Sequence, residues 1–333
     1  MLTLIIIILG ISFILYTLLG GADFGAGIVE IFAGKREEAT ISKAIAPVWE
    51  ANHVWLILAV VILFTAFPLV YASLSWVLHI PLMMVLLGII MRGTAFTFRH
   101  YDVHQGRSHR YYNFLFHLSS FITPVFLGMI LGSMILGRIS FDPTRGFYQM
   151  FIAPWLNWFC LIMGAFTACL FSYLASVFLV GETIVERERL RYVTFAKRSM
   201  IVTMILGLLV FIVAEAAGHH LMRTFLHSTP SIIMLITAFL FCPIIWHFLN
   251  KEKNKTAYLR IGAGIQVTAI LLGWFYIQFP VIVEVKDAGE LTFYNTQAPA
   301  ATLEQLFIAL IVGLVLVVPG FVFLFKVFKI RSA

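Results

Sequence analysis

The sequence predicts an all-α polytopic membrane protein, and three observations support this fold class. Of the 333 residues, 61% are hydrophobic and only 12% are charged, and the mean hydropathy is +0.97. Soluble domains carry about 25% charged residues, so this composition excludes them. Nine apolar stretches are each long enough to cross a bilayer, which takes a helix of about 20 residues. Finally, the basic residues are concentrated in every second connecting loop.

The nine predicted spans cover most of the chain, which we interpret as a single integral membrane domain, residues 1–333. They are approximately residues 3–33, 44–67, 74–98, 113–137, 151–180, 199–218, 231–249, 258–282 and 304–327. The longest segments between them, 138–150, 181–198 and 283–303, are predicted to be ordinary loops. Four glycines in the first span, Gly20, Gly21, Gly25 and Gly27, predict a smooth face that another helix can approach closely.

The distribution of lysine and arginine predicts the orientation of these spans. If the N-terminus faces outward, 18 of the 23 basic residues fall on the inner side and 4 on the outer side. Such an excess on the cytoplasmic side is what the positive-inside rule requires, and an even number of spans would remove it. We therefore predict nine helices with the N-terminus outside and the C-terminus inside.

Composition and motifs also exclude several functions. The net charge of +7 is explained by the inner loops, so it does not indicate a nucleic-acid partner. The three cysteines, Cys160, Cys169 and Cys242, lie in apolar runs and form no CxxC motif, which argues against a cysteine metal site. A Walker A loop, an HExxH motif and a nucleophile elbow are not found in a usable context, so phosphate chemistry and hydrolysis are not indicated.

Four ionisable residues at membrane depth form the candidate site. Asp23 lies in the first span, Glu50 and His53 in the second, and Arg92 in the third. A charge in the membrane costs about 2.5–3.5 kcal/mol on insertion scales, so a chain that keeps one usually pairs or uses it. Glu50 and His53 share a helix face, and all four residues fall in the inner half of the bilayer. We expect one cluster, in which Arg92 compensates one carboxylate and the second acid exchanges a proton.

Other interpretations of these residues remain open at this stage. The arginine and an acid can form an ion pair that only holds helices together, and His53 can be a hydrogen-bonded packing residue. Trp49 and Trp55 either line the cluster or pack against neighbouring helices. Outside the cluster, Arg99 is interpreted as an anchor at the membrane boundary, and His117 as an isolated residue on an apolar helix. The residues alone thus allow a redox-complex subunit, a proton-coupled transporter or a scaffold subunit.

Several sequence blocks resemble subunit II of the cytochrome bd type quinol oxidases. They are GGADFGAG in the first span, PVWEANHVWLI and AFPLVYA in the second, LLGIIMRGTAFTFR in the third, and FPVIV followed by LTFYNTQAPAATLEQL before the ninth. The likeness runs in the same order from residue 10 to about residue 325. The blocks PVWEANHVW and RGTAFTFR are specific in combination.

The resemblance implies a fold of two four-helix bundles plus one additional helix, in a bacterial or archaeal-type cell membrane. It implies a heterodimer with a larger, haem-bearing subunit I, which holds two b haems, the d haem and the quinol site and reduces dioxygen to water. This chain is then expected to hold no haem, no metal and no catalytic residue. Whether a quinone binds here, and whether a small single-helix subunit joins the complex, is left open.

Carried over to this chain, the resemblance makes Asp23 and Glu50 the acids of a proton path from the cytoplasm toward the partner's haems. Trp49, Asn52, His53 and Arg92 are then their surroundings, and Trp55 is placed with them. The chain departs from the family pattern in two places. Many members have an aspartate at the position of Gly20, and an Asp-Gly pair where this chain has Glu50-Ala51. The longer glutamate keeps the charge, but the missing acid at Gly20 changes the detail of any path.

Overall fold

A computed structural model describes the chain except for residues 35–36, 102–106, 143, 184, 252–255, 287–288 and 331–333. The side chains of Glu50, His100, Tyr101, Arg107, Ser108, Val322 and residues 324–330 also lie outside the described part. Within the described residues, nine helices are long and apolar enough to cross a membrane, which confirms the predicted fold class and number of spans.

The helices follow one another with two short strands before the last. They are α1 (Leu2–Ala33), α2 (Glu38–Ala66), α3 (Pro68–Val77), α4 (His79–Tyr101), α5 (Arg107–Ile135), α6 (Phe147–Phe151), α7 (Trp158–Val180), α8 (Glu186–Ala216), α9 (Leu221–His227), α10 (Thr229–Leu249), α11 (Thr256–Gln278), β1 (Val281–Val285), β2 (Gly289–Thr292) and α12 (Ala300–Ile330). Helices α3, α6 and α9 are too short to span a membrane, and the other nine are the candidate spans.

Two of the predicted spans do not begin where a helix begins in the structure, and a local sequence signal explains each difference. The predicted third span, 74–98, begins within α3, because Pro68 starts this separate helix immediately after α2. The predicted fifth span, 151–180, begins too early. The side chain of Asn157 accepts a hydrogen bond from the backbone N–H of Cys160 at 3.0 Å and so caps α7, which starts at Trp158.

The segment before α12 is not the ordinary loop that we predicted. Strands β1 and β2 pair in an antiparallel hairpin, and residues 281–282, predicted to end a helix, belong to β1. The backbone N–H of Lys286 donates to the carbonyl of Ile139 at 2.8 Å, and that of Ala298 donates to the carbonyl of Ala66 at 2.8 Å. The hairpin is thus joined to the segment that follows α5, and the residues between β2 and α12 are joined to the end of α2. This side of the molecule is called the hairpin end, and the opposite side, where α2, α5 and α8 begin, is called the basic end.

The four glycines of the predicted smooth face point to three different helices: Gly21 and Gly25 face α7, Gly20 faces α2 and Gly27 faces α5. A Cβ atom added at Gly25 would overlap the carbonyl of Phe171, and one at Gly21 would lie 2.6 Å from the Leu174 side chain. Only a residue without a side chain permits this approach of two backbones. The close contact fixes α1 at the centre of the molecule, where it also packs against α2 and α5.

Candidate functional site

Helices α1, α4 and α5 bring three polar side chains together in the middle of the protein. Arg92 Nη2 donates to Asp23 Oδ1 at 2.6 Å and to the Asp23 carbonyl oxygen at 2.6 Å. Arg92 Nη1 donates to the hydroxyl oxygen of Ser120. Asp23 is 0% exposed and Arg92 1% exposed. These three residues are named the Asp23 cluster, and the predicted meeting of Asp23 with Arg92 is present.

The environment of Arg92 suits a charge that has left water. Its guanidinium lies over the rings of Phe24, at 5.0 Å, and Phe116, at 4.4 Å, so cation–π contacts add to the ion pair. Asp23 Oδ2 is buried and has no hydrogen-bond partner within the described residues. One carboxylate oxygen therefore holds the arginine while the other keeps the capacity to accept a proton.

The α2 residues of the candidate site differ in how they are placed relative to the Asp23 cluster. His53 interacts electrostatically with both Asp23 and Arg92, and its ring packs edge-on against Trp49, with centroids 5.8 Å apart. Asn52 is fully buried, and its amide faces Gly20, where an added Cβ atom would lie 3.0 Å from Oδ1. Trp55 instead packs on Phe321 of α12, with centroids 6.1 Å apart. Of these four residues, His53 thus interacts with the Asp23 cluster itself, Trp49 contacts His53, and Asn52 lies at Gly20, about one helical turn before Asp23.

The side chain of Glu50 lies outside the described residues. Its backbone belongs to α2, between Trp49 and Ala51. Whether its carboxylate meets Asp23 therefore stays a prediction.

A second group of buried charges lies nearer the basic end. Arg99 of α4 holds the Glu30 carboxylate of α1 with both terminal nitrogens, at 2.6 Å to Oε1 and 3.2 Å to Oε2. His117 Nε2 of α5 lies 3.0 Å from Glu30 Oε1. Glu30 and the Arg99 side chain are each 3% exposed, whereas His117 is 28% exposed. A two-point contact between guanidinium and carboxylate fixes Glu30 firmly in this position.

The same group continues to the start of α2. Glu38 Oε1 lies 3.7 Å from Arg99 Nε and 2.9 Å from His109 Nε2. Asn113 donates to Glu38 Oε2 at 3.1 Å, and Arg99 Nη2 donates to the hydroxyl of Ser42. We name the connected residues Glu30, Glu38, Arg99, His109, Asn113 and His117 the Glu30 cluster.

The sequence interpretation did not find the Glu30 cluster. Arg99 was interpreted as a boundary anchor and His117 as an isolated residue, and both assignments are wrong because the two side chains converge on Glu30. A signal was available in the spacing. Asp23 and Glu30 are seven residues apart on α1, as are Arg92 and Arg99 on α4, and seven residues are about two helical turns. Two acids and two arginines with equal spacing predict two parallel pairs.

The described side chains can be compared with the ligand sets that hold metal ions. Among them, no group of three or more histidine, cysteine or carboxylate residues is placed to hold a metal ion. The three cysteines are free thiols, and Cys160 is buried in the apolar core. The chemistry that the two clusters offer is the binding and exchange of protons.

Comparison with known proteins is consistent across the whole chain. A family described as Cytochrome bd terminal oxidase subunit II matches residues 1–328. The chain is 24% identical to Cytochrome bd ubiquinol oxidase subunit 2 of Bacillus subtilis, over 98% of this chain and 95% of that one. It is 23% identical to Cytochrome bd-I ubiquinol oxidase subunit 2 of Escherichia coli strain K12, over 89% of this chain and 86% of that one.

A solved structure shares this fold. The bd oxidase from Geobacillus thermodenitrificans contains a chain that superimposes with a TM-score of 0.76, at 19% sequence identity, and the match covers 98% of each chain. At this level of identity the likeness shows the fold alone.

Proposed function

Because this chain belongs to the cytochrome bd terminal oxidase subunit II family, we propose that it delivers protons to a haem-bearing partner subunit that reduces dioxygen with electrons from quinol. The relatives that it resembles are named as quinol oxidase subunits, which supports this substrate class. In this proposal the two b haems and the d haem reside in the partner, and this chain completes the partner's membrane fold. Family membership also makes a stand-alone transporter the weaker alternative.

The arrangement in the membrane follows from the same proposal. The nine spans form one integral domain in the lipid of the bacterial cell membrane, with the N-terminus outside and the basic end facing the cytoplasm. Helices α1, α2, α4 and α5 form one four-helix bundle, α7, α8, α10 and α11 a second, and α12 is the additional helix. Protons would then reach the Asp23 cluster from the basic end.

The observation that carries the proposal is the state of Asp23. Its Oδ1 is held by Arg92 at 2.6 Å, and its buried Oδ2 has no partner within the described residues. An acid fixed by an arginine but with a free oxygen can accept and release a proton without moving its neighbours. In the proposed path Glu50 passes protons to Asp23, and His53, Asn52 and Trp49 shape the space between them.

The test uses Asp23→Asn and Glu50→Gln in the complex that is purified through a tag on this chain. Both variants keep the size of the side chain but cannot release a proton, so we expect a fall in quinol-dependent oxygen consumption of about 10²-fold, the lower range for loss of a proton-transfer group. Reduced-minus-oxidised absorption spectra measure haem content, which should be unchanged. Glu215→Gln, at an exposed acid of the hairpin end, is the matched control and should keep full turnover.

A scaffold subunit without a proton role is the second candidate, and one observation favours it. The Asp23 cluster is so completely buried that Arg92 and Asp23 could serve only to hold α1 and α4 together. That function predicts that Asp23→Asn lowers the haem content or the yield of the complex, while the complex that remains turns over at the normal rate.

A further inference from the structure

The Glu30 cluster is connected from the surface of the basic end to the buried carboxylate of Glu30. His109 and Glu38 are 2.9 Å apart, and Asn113 and Arg99 join Glu38 to Glu30, which His117 contacts at 3.0 Å. The histidines His109 and His117 are 23% and 28% exposed, whereas Glu30 is 3% exposed. Partly exposed imidazoles therefore bracket a carboxylate that is itself shielded.

The members of this cluster differ in what they can do with a proton. A guanidinium stays charged at all accessible pH values, so Arg99 positions Glu30 but cannot pass a proton. An imidazole changes charge near neutral pH and has two nitrogens, one of which can receive a proton while the other gives one up. His117 Nε2 lies within hydrogen-bond distance of Glu30 Oε1, so these two atoms can exchange a proton directly.

The charge of the cluster favours the arrival of one proton. With both imidazoles neutral, Glu30, Glu38 and Arg99 sum to one net negative charge, and a single added proton balances it. Among the neighbouring groups, Glu37 is paired with Arg191 at 2.7 Å, and Tyr192 of α8, which interacts electrostatically with Glu30, is a neutral phenol. Glu188 of α8, which accepts a hydrogen bond from Thr40 of α2 at 3.3 Å, adds a further negative charge. In a medium of low dielectric constant this imbalance attracts a proton strongly.

We propose that His117 and Glu30 form the proton-exchanging pair through which protons from the basic end reach Asp23, with Arg99 as the positioning residue. This inference rests on the proposed function and adds residues to its path. His117, which is 28% exposed, takes up the proton and exchanges it with Glu30, and Asp23 receives it two helical turns farther along α1. That last interval is about 10 Å of helix rise, so the transfer includes water molecules between the two clusters.

The test is His117→Gln, which keeps a donor toward Glu30 but cannot take up a proton near neutral pH. His79→Gln is the matched control, because His79 lies at the start of α4, near the hairpin end, and contacts only the carbonyl of Trp76 among described hydrogen bonds. In the purified complex we expect full haem content in both. Only His117→Gln should slow oxygen consumption at pH 8, by about tenfold, with the deficit shrinking toward pH 6 as protons become abundant.

Each other outcome contradicts the proposal in a recognisable way. If His117→Gln matches the His79 control at every pH while Asp23→Asn is slow, protons reach Asp23 by another route and this inference is wrong, but the proposed function stands. If neither His117→Gln nor Asp23→Asn slows oxygen consumption, the proposed function fails as well. If His117→Gln and His117→Asn both leave no haem-bearing complex, His117 is a structural residue and the inference is wrong.

Discussion

The two halves of the protein bury different kinds of polar contact. In the first four spans, Asp23 and Glu30 are paired with arginines inside the protein. In the described residues of the second four, a buried polar contact joins α7, α10 and α11 at mid-span, and it is neutral. The hydroxyl of Tyr173 donates to Gln266 Oε1 at 2.7 Å, and Gln266 Nε2 donates to the carbonyl of Ala238 at 3.1 Å.

This difference distinguishes polar contacts that only join helices from buried charges that are expected to serve a function. A neutral hydrogen bond joins helices in a membrane cheaply, whereas buried charges are expensive and often less stabilising than apolar packing. A chain that needed only helix packing could use the neutral solution in both halves. The charged contacts of the first half are therefore the ones expected to carry function, and the following variants test that division.

The largest effect is expected from Arg92→Gln, which leaves Asp23 buried without its cation. Breaking a buried ion pair from one side costs about 3–5 kcal/mol, so the yield of the complex and its thermal unfolding temperature should fall sharply. The matched control is Arg223→Gln, because Arg223 of α9 is exposed and its loss should be tolerated.

The double variant Asp23→Asn with Arg92→Gln sharpens this result. It removes both charges and should restore much of the yield, since no unpaired charge remains. Oxygen consumption should stay low if Asp23 carries protons. Recovery of both yield and turnover would mean that the pair is only structural.

A smaller effect is expected from Tyr173→Phe in the second half. The variant removes one hydrogen bond between α7 and α11, and such bonds contribute about 0.6 kcal/mol on average in membrane proteins. A small drop in the unfolding temperature with unchanged turnover is the expected result. A slow enzyme with full haem content would show that the second half also takes part in proton delivery, and the comparison would fail.

The smallest effect concerns His219, in the loop between α8 and α9 at the hairpin end. Burial lowers the pKa of this histidine, with a further contribution from Arg138, and Glu284 opposes the shift. Its folded pKa thus lies below the unfolded value of about 6.5, and its contribution to stability is complete above that value and declines as the pH falls through the folded pKa. When the pH is lowered from 7.5 to 5, the unfolding temperature of His219→Gln should fall slightly less than that of the unsubstituted protein. An unchanged pH dependence would contradict this assignment.

The sequence predicted the features that depend on composition along a single helix. The spans follow from apolar length, and the pairing of Arg92 with one of two acids follows from the cost of an isolated charge in lipid. Which acid it holds, Asp23, is known only from the structure. The hairpin was missed because an apolar strand and an apolar helix look alike over a few residues. The separate short helix that begins at Pro68 was also missed. Trp55 was grouped with the site by proximity in sequence, although its ring faces α12.

The Glu30 cluster was missed for a different reason. Glu30, Glu38 and Arg99 lie close to helix ends, where a charged residue ordinarily reaches water, and only the equal spacing of the two acids and the two arginines indicates a buried pair there. Their burial depends on which helix faces meet, and only the assembled α1, α2, α4 and α5 determine that. His117 shows the same limitation, since its partner lies 87 residues away.

The equal spacing of the two acid–arginine pairs also restricts how α4 can sit beside α1. A slide of α4 by seven residues, about 10 Å, would match one arginine with one acid and leave the other two charges alone in the interior. Any smaller slide would separate both pairs at once. The pairs therefore define a single register, and a one-residue insertion in α4 between Arg92 and Arg99 would turn one guanidinium by about 100° away from its acid.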